Sequence, residues 1–322
     1  MTARPFRFGV QAYAPESPDA WRTLARRAET LGYSALHLAD HYIGPGPALD
    51  PTNHPVQVVA AIPAMAIAAE ATTEITIGAR VLCVDYHQPV VLAKELATIA
   101  WFAGDRLEVG LGAGWLEAEY DAMGIAFDPA PARVDRLAET TALMRAYFAG
   151  GEIDVSGAHV NAHGFTAVPA LTHAPRIMLG GGSPRVLRMA GALADIVSLN
   201  FDNRSGRIGP EGFTSGTADR TDEKLAWVRD GAGDRFDDVE LEIASYLTMV
   251  SDDRDSVFEG MAPMFGLTPA DLAQHPHTLV GSTDQIAETL IERRDRFGIA
   301  YVTVGVDVLE TFAPVVERLA GT

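Results

Sequence analysis

The chain alternates between short runs with a period of two and longer runs with the spacing of amphipathic helices. In the clearest short run, Leu107, Val109 and Leu111 alternate with Glu108 and Gly110, which is typical of a strand. Strand-like runs of this kind lie near residues 6, 34, 75, 106, 176, 195, 239 and 301. A helical pattern follows each of them, and repeated strand–helix units favour right-handed crossovers and a parallel sheet. The pattern therefore predicts an α/β protein with the (β/α)8 TIM-barrel fold, and an open doubly wound sheet is the alternative.

Three stretches depart from the simple alternation of strands and helices. Residues 150–165 are typical of a hairpin with Gly157 at its turn, which we expect to be an insertion between strands 4 and 5. Residues 200–217 are polar and glycine-rich and predict a long loop. Residues 239–250 predict one continuous strand. No low-complexity segment interrupts the pattern, so we expect a single domain over residues 1–322.

Composition and charge narrow the class of protein. Hydrophobic residues make up 48% of the chain, and 25 basic residues against 43 acidic ones give a net charge of −18. This charge argues against nucleic acid or an anionic membrane surface as a partner. Cys83 is the only cysteine, so no intrachain disulfide can form, and the first residues lack the apolar stretch of a signal peptide. We therefore expect a cytoplasmic protein.

The ends of the predicted strands carry the candidate chemistry, because the functional residues of a TIM barrel lie at the carboxyl ends of its strands. Asp40 and His41 follow the second strand and supply an acceptor and a titratable proton carrier. Two glycine turns, residues 112–114 before Trp115 and residues 181–183, follow the fourth and fifth strands. Such turns let a ligand approach the backbone and can hold an anion at a helix N-terminus. The structural alternatives are a turn-capping Asp40, a solvated His41 and plain tight turns.

Other chemistries find less support in the sequence. Cys83 fits best as a small core residue, since no base lies near it in the chain. His275 and His277 have a spacing compatible with metal ligation, but no carboxylate or cysteine accompanies them, and we expect no metal site. The chain lacks the nucleophile elbow of serine hydrolases, the Gly-Lys-Thr/Ser loop of P-loop proteins and the paired carboxylates of glycosidases.

Four segments of the chain, taken together, are similar to segments of a known enzyme family. They are residues 38–42, 81–95, 106–115 and 279–286. Together they resemble the luciferase-like monooxygenase superfamily, and most closely the coenzyme F420-dependent oxidoreductases of actinobacteria. The resemblance extends over nearly the whole chain. It implies a TIM barrel with an insertion, a small-molecule substrate, a possible homodimer, and F420 as cofactor, with FMN as the alternative.

The resemblance also implies roles for single residues. Leu82, Cys83 and Val84 match the bulge that supports the tricyclic ring of the cofactor, often through a cis non-proline peptide. Asp40 matches a residue that contacts the ring system or its side chain. His41 matches a residue that faces the substrate, and we expect it to be the catalytic residue that moves a proton.

The glycine turns match positions near the phosphate of the cofactor, namely Gly112, Ala113, Gly114, Gly181, Gly182 and Ser183. Arg185 and Arg188 are candidates to offset the charge of an anionic tail, or else are solvated helix residues. We expect Trp115 and Tyr42 to contact the substrate. Related sugar-phosphate dehydrogenases place an acidic residue where Trp115 stands, so a flat apolar or aromatic acceptor is expected here in place of a sugar phosphate.

The function implied is hydride transfer between F420 and an unidentified small organic substrate. The alternatives are an FMN-dependent two-component monooxygenase on the same barrel and, in a different class, a non-catalytic protein that binds a flavin or deazaflavin.

Overall fold

The computed structural model describes residues 4–322, and its strands and helices alternate along most of that range. The strands are β1 (Arg7–Ala12), β2 (Ala35–Leu38), β3 (Thr76–Ala79), β4 (Leu82–Cys83), β5 (Leu107–Gly112), β6 (Gly151–Ser156), β7 (Asn161–Ala167), β8 (Arg176–Gly181), β9 (Ile196–Leu199), β10 (Glu240–Ala244), β11 (Leu247–Val250), β12 (Thr278–Gly281) and β13 (Tyr301–Gly305). The α-helices are α1 (Pro18–Thr30), α2 (Ala61–Ala71), α3 (Pro89–Ala103), α4 (Glu117–Met123), α5 (Ala130–Ala149), α6 (Pro184–Leu193), α7 (Pro210–Thr214), α8 (Ala218–Ala232), α9 (Arg254–Met261), α10 (Pro269–Gln274), α11 (Thr283–Phe297) and α12 (Leu309–Leu319).

Eight parallel strands close into a barrel. Around the barrel the order is β3-β2-β1-β13-β10-β9-β8-β5, and β3 pairs with β5 to complete the ring. The closing register places Ile77 opposite Leu107 and Gly78 opposite Glu108. All eight barrel strands lie where the sequence pattern predicts them, so the TIM barrel is confirmed and the open doubly wound sheet is excluded.

Helices cover the outside of the barrel and bury its apolar face. Phe8 on β1 packs edge-on against Phe312 on α12, with 5.7 Å between the ring centroids. Local caps fix where helices begin: the Ser17 hydroxyl accepts from the Ala20 amide at 3.1 Å ahead of Pro18. Ser282 and Gln285 form a reciprocal capping box at the start of α11.

The amino-terminal end of the barrel is closed by a buried charged network. The Glu108 carboxylate accepts hydrogen bonds from Arg7 at 2.5 Å and from the Tyr301 hydroxyl at 2.9 Å. Burial alone would raise the pKa of Glu108, but the hydrogen bond from His37 and the charge of Arg7 lower it to about 2. This end of the barrel is therefore filled by side chains.

The expected insertion is present, since β6 and β7 form an antiparallel hairpin between the fourth and fifth barrel strands.

The prediction of a single strand over residues 239–250 is wrong. β10 stays in the barrel, whereas β11 pairs with β12 in a separate two-stranded sheet. The break follows from two hydrogen bonds: the Ser245 amide still donates to Thr303 of β13, but the Tyr246 amide donates to His277. Within residues 4–322, no helix has the length and apolar character needed to cross a membrane.

Candidate active site

A large cavity lies at the carboxyl end of the barrel. Its volume is about 1080 Å³, which is near the upper limit for small-molecule and cofactor sites. Residues that follow every barrel strand reach its wall, including Tyr13, Asp40, Cys83, Gly114, Gly182, Asn200, Ser245 and Asp307. The cavity is therefore the place where function is expected in this fold.

Most of the residues predicted from the sequence meet in this cavity. Its wall includes Asp40, His41, Cys83, Gly112, Ala113, Gly114, Trp115, Gly181, Gly182 and Ser183. Leu82 and Val84 instead point into the hydrophobic core on either side of Cys83. Tyr42 also lies outside the cavity wall, where its ring contacts Tyr86 and His87. The cis non-proline peptide joins Arg80 to Val81, ahead of the segment 82–84 in which it was expected.

His41 is held in a defined orientation by a carboxylate. Its Nδ1 atom lies 2.7 Å from Oε2 of Glu119, and its side chain is 13% exposed. A carboxylate partner makes Nδ1 the protonated nitrogen, which leaves Nε2 to accept or donate a proton. His41 therefore has the geometry of an acid–base group in the cavity wall.

Glu119 is completely buried, and both of its carboxylate oxygens accept hydrogen bonds. Its Oε1 atom accepts from the amide of Tyr42 at 2.5 Å, and its Oε2 atom accepts from the Tyr86 hydroxyl at 3.2 Å. Burial alone would raise the pKa of Glu119, but the hydrogen bonds from His41 and from these amides lower it below its ordinary value. The carboxylate stays ionised at neutral pH and can stabilise a positive charge on His41.

Two further aromatic rings extend the wall around His41. The His54 ring lies 3.8 Å from the His41 ring, and the Trp115 ring meets His41 edge-on at 6.4 Å between centroids. Burial, and then the neighbouring His41, lower the pKa of His54 to about 4. At neutral pH His54 is therefore an uncharged ring, and His54 and Trp115 place two inclined aromatic rings next to the acid–base pair.

Asp40 offers an unmatched acceptor to a ligand. Its Oδ2 atom accepts from the Cys83 amide at 3.0 Å and lies 2.8 Å from Nε2 of His87. Its Oδ1 atom is buried and has no hydrogen-bond partner among residues 4–322. A buried carboxylate oxygen without a donor is costly, so a ligand that brings an N–H or O–H group to this position fits the site.

The glycine turns are required by the packing of the protein itself. Gly114 has a φ of +71°, and a methyl group there would overlap the Tyr120 hydroxyl. A methyl group at Gly182 would overlap the carbonyl of Phe201. Close packing of the mouth thus explains these glycines without any ligand, although both turns line the cavity.

Cys83 and the two proposed arginines take ordinary structural positions. Burial raises the pKa of the Cys83 thiol to about 12, so it remains protonated against the cavity. Arg185 pairs with Asp135 at 2.5 Å, and Arg188 pairs with Asp230 at 2.6 Å. Neither arginine lines the cavity, and both side chains are about half exposed.

Two long loops meet above the cavity. The Ile208 amide donates to the Thr52 carbonyl at 2.8 Å, and the Asn53 side chain donates to the Ile208 carbonyl at 3.0 Å. These bonds connect the loop after β2 to the loop after β9, so both loops shape the space available to a substrate.

Sequence reasoning missed three residues of the cavity region: Glu119, His54 and Arg133. Glu119 is one helical turn after Trp115, and its position on the first turn of α4 was the available signal. His54 and Arg133 carry no local motif, because the fold alone brings them to the mouth.

An eight-stranded barrel with a histidine–carboxylate pair beside a cofactor-sized cavity defines a barrel enzyme. The sequence model of the luciferase-like monooxygenase family matches residues 1–256, and the chain belongs to that family. It is an oxidoreductase.

Two curated relatives are similar in sequence. The F420-dependent glucose-6-phosphate dehydrogenase of Nakamurella multipartita is 28% identical over 247 residues, covering 74% of this chain and 67% of that protein. The 5,10-methylenetetrahydromethanopterin reductase of Methanopyrus kandleri is 25% identical over 325 residues, covering 95% of this chain and 84% of that protein.

Solved structures share the fold at lower identity. An F420-dependent secondary alcohol dehydrogenase in complex with an F420-acetone adduct superposes with a TM-score of 0.73 at 18% identity, covering 98% of both chains. The EDTA monooxygenase of Chelativorans sp. BNC1 superposes with a TM-score of 0.75 at 13% identity, covering 99% of this chain and 95% of that chain.

Proposed function

We propose that this oxidoreductase uses coenzyme F420 to transfer a hydride to or from a small organic substrate, with His41 moving the accompanying proton. The observation that carries the proposal is the His41–Glu119 pair, at 2.7 Å, in the wall of a cavity of about 1080 Å³. The relative from Nakamurella multipartita supports F420 as the cofactor, since that protein is named F420-dependent.

The cofactor would donate or accept the hydride, because a deazaflavin ring undergoes two-electron chemistry, and the protein supplies binding, orientation and electrostatics. Oδ1 of Asp40 would accept a hydrogen bond from the bound molecule, which satisfies its unmatched lone pairs. Val81 and Cys83 contribute the wall at the end of the third barrel strand. Glu119 keeps the proton of His41 on Nδ1, so Nε2 exchanges a proton with the substrate.

The substrate is proposed to be flat and apolar or aromatic. Aromatic rings surround the cavity, and they include Tyr13, His54, Tyr86, Trp115, Phe127, Phe201, Phe213, Tyr246 and Phe265. Such a lining favours stacking over the hydrogen bonding that a sugar phosphate would require. Trp115 cannot act as a general acid, and the proton role is assigned to His41 because of its carboxylate partner.

A flavin-dependent monooxygenase is the second candidate. The family name and the likeness to the EDTA monooxygenase fold favour it, and Asp40 would suit the ring of FMN as well as that of F420. A protein that binds either cofactor without turnover is the third candidate, and it predicts indifference to replacement of His41.

Turnover assays carried out without oxygen and with oxygen distinguish these three functions. Without oxygen, reduced F420 should be reoxidised in the presence of a member of a panel of flat enones, quinones and nitroaromatics. Oxygen uptake driven by reduced FMN, with no F420 turnover, would establish the monooxygenase and contradict the proposal. Tight binding of either cofactor without turnover of any acceptor would favour the carrier.

A further inference from the structure

The hydroxyl of Tyr13 is a hydrogen-bonding group in the cavity wall that the proposed proton transfer does not use. Tyr13 follows β1, and its carbonyl accepts from the Val58 amide at 3.0 Å, which fixes the main chain at this point. Its hydroxyl forms no hydrogen bond within residues 4–322. Burial raises the pKa of Tyr13 above its ordinary value, and the neighbouring Tyr246 raises it further. The hydroxyl therefore stays protonated and is a free hydrogen-bond donor.

Arg80 is a neighbour of Tyr13 and also reaches the cavity wall. It is 6% exposed, and its Nε atom donates to both carboxylate oxygens of Glu242, at 2.9 and 3.1 Å. Its Nη1 atom donates to the Tyr246 hydroxyl at 3.3 Å. Its Nη2 atom is buried and has no acceptor among the described residues. Both N–H groups of Nη2 are therefore available to an oxygen atom from outside the protein.

Hydrogen bonds on two sides hold Arg80 in this position. The Gln11 side chain, on β1, donates to the Arg80 carbonyl at 3.0 Å. The Tyr246 hydroxyl, which accepts from Arg80, donates in turn to Oδ1 of Asn200 at 2.9 Å. The donors are thus oriented before a ligand binds, which is the condition for electrostatic stabilisation of a reacting group.

The Tyr13 hydroxyl belongs to the same part of the cavity as the acid–base pair. The His54 ring lies 6.0 Å from the Tyr13 ring and 3.8 Å from the His41 ring, between centroids. A flat substrate next to His54 can therefore reach both His41 and Tyr13. Because Glu242 already offsets the charge of Arg80, this region favours a neutral oxygen over a carboxylate.

We propose that Tyr13 binds the carbonyl oxygen of a conjugated substrate, an enone or a quinone, and that Arg80 supplies a second donor to the same oxygen. This inference rests on the proposed function, which supplies the hydride. When an enone receives a hydride at its β-carbon, the electron pair of its C=C bond moves toward the carbonyl and leaves an enolate oxygen. The two donors stabilise that charge. A proton from His41 then bonds to the α-carbon and gives the saturated ketone.

Binding of a matched ligand pair tests the subsite without turnover. 1-Indanone carries a carbonyl oxygen, and indane has nearly the same shape without one. Dissociation constants are measured for the wild-type protein and for Tyr13→Phe, with and without oxidised F420. The wild-type protein should bind 1-indanone about 2- to 10-fold more tightly than indane, as expected for a neutral hydrogen bond. Tyr13→Phe should lose that preference and bind indane as the wild-type protein does.

Turnover tests the role of the two donors in the reaction. With a flat enone as acceptor, Tyr13→Phe should lower kcat roughly 10²-fold, the usual cost of removing one donor to a developing oxyanion. Arg80→Lys keeps a charge opposite Glu242 but removes Nη2, so it should lower kcat with little change in KM. The dissociation constant of F420 should be unchanged in both variants.

Tyr33→Phe is the matched control, because the Tyr33 hydroxyl is also buried but donates to the Leu309 carbonyl at 2.9 Å, outside the cavity wall. It should leave the ligand preference and kcat unchanged.

Three results would overturn the subsite. They are equal binding of 1-indanone and indane to the wild-type protein, an equal loss for both ligands in Tyr13→Phe, and an unchanged kcat in Tyr13→Phe. An unchanged kcat in Arg80→Lys would overturn the role of Arg80. If the wild-type protein binds no F420, the proposed function fails, and the ligand pair measured without F420 still decides whether the carbonyl subsite exists.

Discussion

His41 depends on residues that are distant in the sequence for its chemistry. Glu119 fixes its tautomer, and the backbone amides of Tyr42 and Ile43 hold Glu119 in place. The acid–base pair is therefore built by the strand end on one side and by the first turn of α4 on the other. Its orientation is set before any substrate binds, which is the condition for efficient proton transfer.

Replacing His41 should therefore affect turnover and leave cofactor binding intact. His41→Asn should lower kcat roughly 10²- to 10⁴-fold, the usual contribution of a positioned acid or base. The dissociation constant of F420 should stay close to the wild-type value. Steady-state kinetics and a fluorescence titration measure the two quantities on the same preparations.

His163→Asn provides the control for His41→Asn. His163 also contacts a carboxylate, Asp154 at 2.7 Å, but on the exposed β6–β7 hairpin. Its replacement should leave kcat unchanged. An unchanged kcat in His41→Asn would assign the proton step to another group.

At the scale of the element, the turn from β5 into α4 is shaped by internal contacts. Gly114 takes a positive φ, and the Tyr120 hydroxyl occupies the space next to its α-carbon. That hydroxyl also donates to Asp85 at 3.0 Å and lies 3.2 Å from Sγ of Cys83. One turn thus links the cavity wall to a buried polar cluster.

Gly114→Ala should destabilise the protein more than the backbone angle alone explains. Gly124 has a φ of +72° with open space around it, so Gly124→Ala isolates the cost of the left-handed conformation, about 1–2 kcal/mol. Gly114→Ala adds the clash with Tyr120, and overpacking of this kind costs a further 1–3 kcal/mol or so. Urea denaturation of both variants measures the difference. Equal losses of unfolding free energy would mean that the turn relaxes without strain.

The whole molecule contains buried histidines that make its stability depend on pH. His275 donates from Nε2 to the Phe213 carbonyl at 2.8 Å, and its Nδ1 atom accepts from the His277 amide at 3.2 Å. Both ring nitrogens are thus satisfied in the neutral form. Burial lowers the pKa of His275 to about 4, and it also lowers the pKa of His277. These two residues serve the packing of the loop before β12.

Acidification should therefore destabilise the protein between pH 6.5 and pH 4. In this window the unfolded chain protonates His275 and the folded chain does not, so the unfolded state binds more protons and stability falls as pH falls. The contribution of His275 is about 2–3 kcal/mol across the window.

His275→Gln can keep the donor to Phe213 but cannot titrate, so its unfolding free energy should decline less steeply over the same range. The comparison uses urea denaturation at several pH values. Parallel slopes for the variant and the wild-type protein would contradict the assignment.

The barrel was predictable because each strand–helix unit carries its own local pattern. The eight barrel strands and the hairpin follow from periodicity, and Asp40, His41 and Trp115 follow from the rule that function lies at strand ends. The break after Ala244 was not predictable, because it is set by pairing with β12, which is distant in the sequence.

The sequence also could not show which of several neighbouring residues would reach the cavity. Successive side chains of a strand point to opposite faces, so Cys83 reaches the cavity while Leu82 enters the core. Val84 also enters the core, because a short 3-10 helix begins at that residue. Glu119 lies 78 residues from His41, and only the closed barrel brings the two together. The single domain over residues 1–322 and the homodimer stay predictions.

The central claim is that the mouth of this barrel is built for F420. Titration of the purified protein with F420 and, separately, with FMN tests it most directly, with both dissociation constants measured under the same conditions. The account predicts that F420 binds at least about tenfold more tightly, a difference of roughly 1.4 kcal/mol. Tight binding of FMN together with failure to bind F420 would contradict it.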